Sequence, residues 1–263
     1  ALEPPPAVTQ SACRSAPAFR DAADANAASL IATDWRPFER GQGGWEIYLP
    51  LVQREIATTC GAADDGFAEA LAAWQKAHRL KADGRMDAAT FESLRVTWLR
   101  RRPFVKAMAD GCPAPPAPDR LADLAPTETY GGKAISLRPA AAEAWRRMVE
   151  AARREEPAIA ADPQLLKPIS GYRDATMDSL RCAVSSDCGV ARAPCSAHRT
   201  GLAMDLYLGS APGMDPASTD DTNRLWQSRT PAYRWLVANA DRFGFVNYPY
   251  EPWHWEWTGE PVV

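Results

Sequence analysis

Two of the chain's three histidines stand near carboxylates at spacings that suit a shared metal ion. His198 lies in SAHRTGLAMDLYL, seven residues before Asp205, with Gly201 between them. That separation is too long for one helical turn, but it suits a loop that delivers its histidine to the site reached by the first inward residue of a following strand. His254 lies in NYPYEPWHWEW, where strand alternation sends His254 and Glu256 to one face and Trp253, Trp255 and Trp257 to the other. Glu251 precedes His254 by three residues, at a bend interrupted by Pro252. Two neutral imidazoles and a carboxylate are a recurrent catalytic Zn2+ set with a fourth position for water or substrate. The metal acidifies its water and polarises a carbonyl, while a nearby carboxylate takes and returns the proton. Glu251 and Glu256 are rivals for that base, Glu256 because it shares a strand face with His254. A single histidine is more often a satisfied polar residue near a core, but two of only three, each with an acidic neighbour, argue for a site.

These residues need elements to hold them. Leu165 to Tyr172, Leu202 to Leu208 and 245–257 read as short apolar or aromatic strands. Ser136 is a plausible N-cap for a helix to about Glu155, with Ala141, Trp145, Met148, Val149 and Ala152 on one face. Thr230 and Pro231 make a cap-plus-N1 start for a second helix, closed by Gly244. Irregular alternation of strands and helices favours an α+β fold over a doubly wound sheet. Earlier in the chain, Phe67, Ala70, Leu71, Trp74 and Ala77 recur at helical spacing after Asp64 or Asp65 as cap. An Asp83-Gly84 turn and Asp87 then introduce a short helix with Phe91 and Leu94 inward. His78 falls on the surface of this small helical module. Six prolines between 103 and 126 read as an extended connector without regular helix.

Composition limits the partners. With 30 basic against 33 acidic residues, net −3, and no dense Lys/Arg stretch, nucleic acid is excluded as a partner. No apolar run approaches the length of a membrane span, and ALEPPPAVTQ has neither a basic start nor an apolar core, as in a mature exported chain. Six cysteines without CxxC spacing, Cys13, Cys60, Cys112, Cys182, Cys188 and Cys195, read as disulfides formed in an oxidising compartment. Three precede residue 113 and three lie within 182–195, so complete pairing requires an odd number of bridges between the groups. One local bridge among the last three and one crossing bridge are expected, pinning the loop before His198. The tryptophans of the last strand belong to the core by their spacing.

SAHRTGLAMD and EPWHWEW resemble, in order and spacing, the two signature segments of the zinc D-Ala-D-Ala carboxypeptidases, a group that includes vancomycin-resistance D,D-carboxypeptidases and dipeptidases and related L-Ala-D-Glu endolysins. SGYR at 170–173 resembles a third, shorter motif, and the likeness covers about residues 130–258. It implies that His198, Asp205 and His254 bind zinc, that Glu251 rather than Glu256 is the base, and that Arg173 holds or polarises the substrate. The planar donor fork of arginine suits that last role, although a structural ion pair is the alternative. Ser196 and Tyr172 could hydrogen-bond near the site or serve only in turns and packing. FAEALAAWQKAHRLKADGRMDAATFESL is similar to the helical peptidoglycan-binding repeat, through Trp74-Gln75, Leu80, Asp83-Gly84 and Thr90.

The resulting expectation is a periplasmic or secreted bacterial enzyme. A helical peptidoglycan-binding-like module occupies 1–102, a Pro-rich connector 103–127, and an α+β zinc peptidase domain with a central antiparallel sheet 128–263. The implied reaction is hydrolysis of the terminal D-Ala-D-Ala bond of peptidoglycan stem peptides. The same site could belong to an L-Ala-D-Glu or D,D-endopeptidase of the wall. A reading of another class is a non-catalytic wall-binding protein with a structural zinc.

Overall fold

Phe67, Leu71 and Trp74 are buried along one face of a helix, as their spacing predicts, while Ala77 at its end is exposed. The computed structural model describes residues 12–32, 34–184 and 195–262, and the chain divides into two compact units, one ending at Thr97 and the other starting at Trp98. ALEPPPAVTQ and Cys188 lie outside the described residues. No described helix is long and apolar enough to cross a membrane.

The first unit is helical: α1 (Arg20–Ala32), α2 (Leu49–Glu55), α3 (Asp65–Ala77) and most of α4 (Ala88–Arg101), with a two-residue ladder of β1 (Asp34–Trp35) on β2 (Gln42–Gly43). Asp64 occupies the N-cap position of α3, yet its carboxylate accepts from Gly61 N instead of capping the helix. Asp87 does cap α4, accepting from Thr90 N at 2.7 Å. Buried Gln75 closes the turn between α3 and α4. Its amide donates to Arg85 O and Thr90 Oγ1, and its carbonyl accepts from Gly84 N. Gly84 has φ +72°, and a Cβ there would lie 2.4 Å from Ala68 O, so only glycine fits. Cys13 and Cys60 are bridged within this unit.

The second unit opens with the end of α4 and continues with α5 (Pro103–Ala107), one regular turn in the stretch expected to be extended; Pro103 at its first position loses only an N–H that has no helical partner there. A ladder of β3 (Ala122–Asp123) on β4 (Ser136–Leu137) precedes α6 (Pro139–Glu155). Ser136 therefore belongs to a strand, its hydroxyl on Asp123, and the helix starts at Pro139 after Arg138. Then follow α7 (Pro157–Ala161), β5 (Pro168–Ser170), α8 (Ala175–Ala183), β6 (Ala203–Leu206), α9 (Asp221–Ser228), α10 (Pro231–Asn239), β7 (Phe245–Asn247) and β8 (His254–Trp257). Thr230 caps α10 through Tyr233 N, and Gly244, at φ +83°, ends the following 3-10 turn. The aromatic segment 245–257, read above as one strand, is a hairpin of two strands, because Pro249 and Pro252 cannot donate to a ladder.

The central sheet is antiparallel throughout, in the order β5-β6-β8-β7. Met204, Leu206 and Trp255 on one face, with Trp253 at the entry to β8, pack with Trp145 and Met148 of α6 and Tyr233 and Leu236 of α10. Each such buried side chain contributes roughly 1.5–3 kcal/mol, so the register of the sheet is strongly set. The alternate residues Asp205, His254 and Glu256 must then face the other way.

Candidate metal centre

Sheet register brings the chemistry together. Asp205 on β6 pairs with Ser170 on β5 and with His254 on β8, so three polar residues form one row across the sheet. His198 enters from the 3-10 turn Ala197–Thr200. Gly201 reverses that turn at φ +69°, where a Cβ would crowd Leu121 and Arg138, and the chain then enters β6. Ligand atoms of His198, Asp205 and His254 all lie within 4.8 Å of one another, and the three residues are buried. Asp205 Oδ1 stands 3.2 Å from His198 Nε2 and 2.9 Å from His254 Nδ1.

The other nitrogen of each ring is already committed. His198 Nδ1 is 2.6 Å from Gly171 O, and a carbonyl only accepts, so that nitrogen carries the proton. Burial pulls the ring down to about 4, against the opposing pull of Asp205, and keeps it neutral. His198 Nε2 thus turns its lone pair toward a carboxylate oxygen: two buried acceptors face each other, an arrangement that calls for a cation. His254 Nε2 lies 3.2 Å from Glu256 Oε1, leaving Nδ1 toward Asp205. Burial opposes charge on His254 as well, but hydrogen bonds from its ring to Asp205 and Glu256 outweigh it and raise it to about 9. Asp205, although buried, is held well below the carboxylate range by the two histidines. A neutral nitrogen from each of two rings plus one carboxylate oxygen fits zinc, with each imidazole oriented by a hydrogen bond from its second nitrogen.

The two candidate bases have different environments. Glu256 is 1% exposed; it accepts from Arg102 Nε at 2.7 Å and from Phe104 N at 3.2 Å, on the far side of the His254 ring from Asp205. Burial would raise its carboxyl, but Arg102 and His254 bring it down to about 2. It is fully engaged and turned away from the cluster. Glu251 Oε2 lies 3.8 Å from His254 Nδ1, on the cluster side, with its side chain one-fifth exposed (21%). Burial, reinforced by the charge of Asp205, raises its carboxyl. The bend carrying it is fixed by Glu251 N on Tyr248 O, His254 N on Glu251 O, and the Asn247 amide on Glu251 O and His254 O.

Arg173 borders the cluster, with Nη1 3.9 Å from Asp205 Oδ2. It donates to Ser170 Oγ at 2.8 Å, and its Nε is 3.3 Å from buried Asp178. Ser196 donates to Asp178 and accepts from Arg173 Nη2 at 3.4 Å. Asp178 escaped the sequence reading because α8 buries little besides Asp178 and Cys182, leaving no apolar face to announce the helix. The bridge Cys112–Cys195 ends three residues before His198 and joins the two cysteine groups, as their parity demands. His78 is exposed and stacks on Trp74.

Residues 134–260 match the VanY family, described as D-alanyl-D-alanine carboxypeptidase, and residues 50–94 match the family described as putative peptidoglycan binding domain. No curated protein matches the chain. Among solved structures, the chain is similar to a mutant of the vancomycin-resistance D,D-pentapeptidase VanY from a VanB-type resistance cassette in complex with Zn(II). The identity is 22%, over 56% of this chain and 83% of that one, at a TM-score of 0.34.

Proposed function

We infer that residues 134–260, which match the VanY D-alanyl-D-alanine carboxypeptidase family, form a zinc metallopeptidase domain that removes the terminal D-Ala from D-Ala-D-Ala-ended stem peptides. The observation that carries the reading is the pair of buried acceptors, His198 Nε2 and Asp205 Oδ1, with His254 Nδ1 beside them. His198, Asp205 and His254 would hold the ion. When bound, zinc supplies Lewis-acid chemistry, polarising a carbonyl and acidifying water.

Glu251 takes the proton of the attacking water and returns it to the nitrogen of the departing D-Ala. Its raised carboxyl suits both halves, since a base closer to neutrality can also act as the acid. Arg173, fixed by Ser170 and Asp178, presents a permanent cation to the carboxylate or the developing oxyanion of the substrate. Asp178 and Ser196 keep its fork in one orientation.

The first part of the chain, 1–102, is assigned as a wall-binding module, 103–127 as its connector and 128–263 as the peptidase. The disulfides and a wall substrate support a location outside the cytoplasm, periplasmic or secreted. A stem pentapeptide incubated with the zinc-loaded chain tests the activity. Loss of one alanine mass, abolished by a chelator and restored by zinc, is expected. An intact pentapeptide, or a cut at an internal bond, contradicts the carboxypeptidase assignment.

A further inference from the structure

Arg102 lies outside the family-matched segment 134–260, yet it reaches the metal cluster through a single residue. Its guanidinium pairs with Glu256, and Glu256 accepts from Arg102 Nε at 2.7 Å and meets His254 Nε2 at 3.2 Å. Both partners are buried, Arg102 at 7% and Glu256 at 1% exposure. The second oxygen of Glu256 is taken by Phe104 N, in the first turn of α5. The same guanidinium stands 4.0 Å from the ring centroid of Tyr248, whose carbonyl anchors Glu251 N at 2.9 Å. Ten residues on, Cys112 is bonded to Cys195, at the entry to the turn that carries His198. The stretch from Arg102 to Cys112 therefore touches the supports of both imidazoles.

We propose that Arg102 is a positioning residue of the metal centre: it clamps Glu256 against His254 Nε2, so that Nδ1 is aimed at the ion, and thereby sets metal affinity from outside the family-matched segment. A carboxylate behind a ligating histidine fixes the ring and raises its basicity, and loss of such a partner typically costs about 10–100-fold in metal affinity. Arginine suits the position because its planar fork fixes the carboxylate and stacks on an aromatic ring at once, whereas lysine is a point charge that cannot do both.

The inference rests on the zinc reading above, and the experiment separates the two. Zinc affinity of the full, disulfide-bonded chain is measured by competition with a chromophoric chelator for wild type, Arg102→Ala, Arg102→Lys and the exposed control Arg100→Ala. Wild type and Arg100→Ala bind one zinc with equal affinity, Arg102→Ala binds about 10–100-fold more weakly, and Arg102→Lys falls between them. The visible bands of Co2+ loaded into Arg102→Lys shift from those of wild type, a readout that general destabilisation does not move. Where Arg102→Ala does not fold, Arg102→Lys carries the test alone, through its affinity and its Co2+ bands. Wild-type affinity and unshifted bands in Arg102→Lys, or wild-type affinity in a folded Arg102→Ala, overturn the proposal while leaving the zinc reading intact. A wild-type chain that binds no zinc removes the zinc reading itself.

Discussion

Two sets of buried polar side chains, one in each unit, are satisfied in opposite ways. In the first, Gln75 and Asn26 spend their amides mainly on backbone: Gln75 on Gly84 N and Arg85 O, Asn26 on Gly84 O and Met86 N. These residues shape a turn and leave nothing for a ligand. In the second, His198, Asp205, His254 and Glu256 are buried against one another, and two acceptors meet with no donor between them. Backbone-satisfied polar groups mark a scaffold; ionisable groups that satisfy one another incompletely mark a site. Within the Trp74-Gln75 and Asp83-Gly84 pattern that resembles a wall-binding repeat, Gln75 and Gly84 are thus committed to the fold.

The contrast can be broken most severely at Glu251. Glu251→Ala is expected to lose about 10²–10⁴-fold in kcat while the chain keeps one zinc, as the proposed role of Glu251 as base and not ligand requires. Steady-state rates with metal analysis check this, and an active Glu251→Ala protein contradicts the role. The next effect is on pH. His198, at about 4, is neutral across the working range, whereas His254, at about 9 without metal, must lose a proton to bind. Apparent zinc affinity should then climb about tenfold per pH unit from pH 7 toward 9 and level off above, with one proton released on binding. A flat profile over that interval is the contrary result. The smallest effect at the site is expected from the other unit: Gln75→Ala strands the partners of three hydrogen bonds and costs about 1–3 kcal/mol in denaturant unfolding, with kcat on a soluble peptide unchanged. A parallel fall in kcat would show that the two units are not energetically separate.

What could be read from the sequence follows the reach of local physics. His198, Asp205 and His254 were legible because strand alternation and the spacing around Gly201 act over a few residues, and the tryptophans of β8 announced the buried face. Thr230, Asp87 and Gly244 were legible as caps for the same reason. Ser136 misled, since a good capping residue three positions before a proline yields to the proline as helix start. The hairpin within 245–257 was hidden because alternation carries no register, and only the prolines hinted at the break. Nothing local reveals Arg102, which meets Glu256 across 154 residues, or decides between Glu251 and Glu256. Geometry favours Glu251 by tying Glu256 to an arginine behind the histidine.

His198, Asp205 and His254 are proposed as the ligands of one metal ion. Zinc content after reconstitution of the metal-free chain, measured side by side for wild type and His254→Ala, tests it most directly. One zinc per wild-type chain and none retained by a folded His254→Ala chain after gel filtration is the expected result. Stoichiometric zinc in both would contradict it.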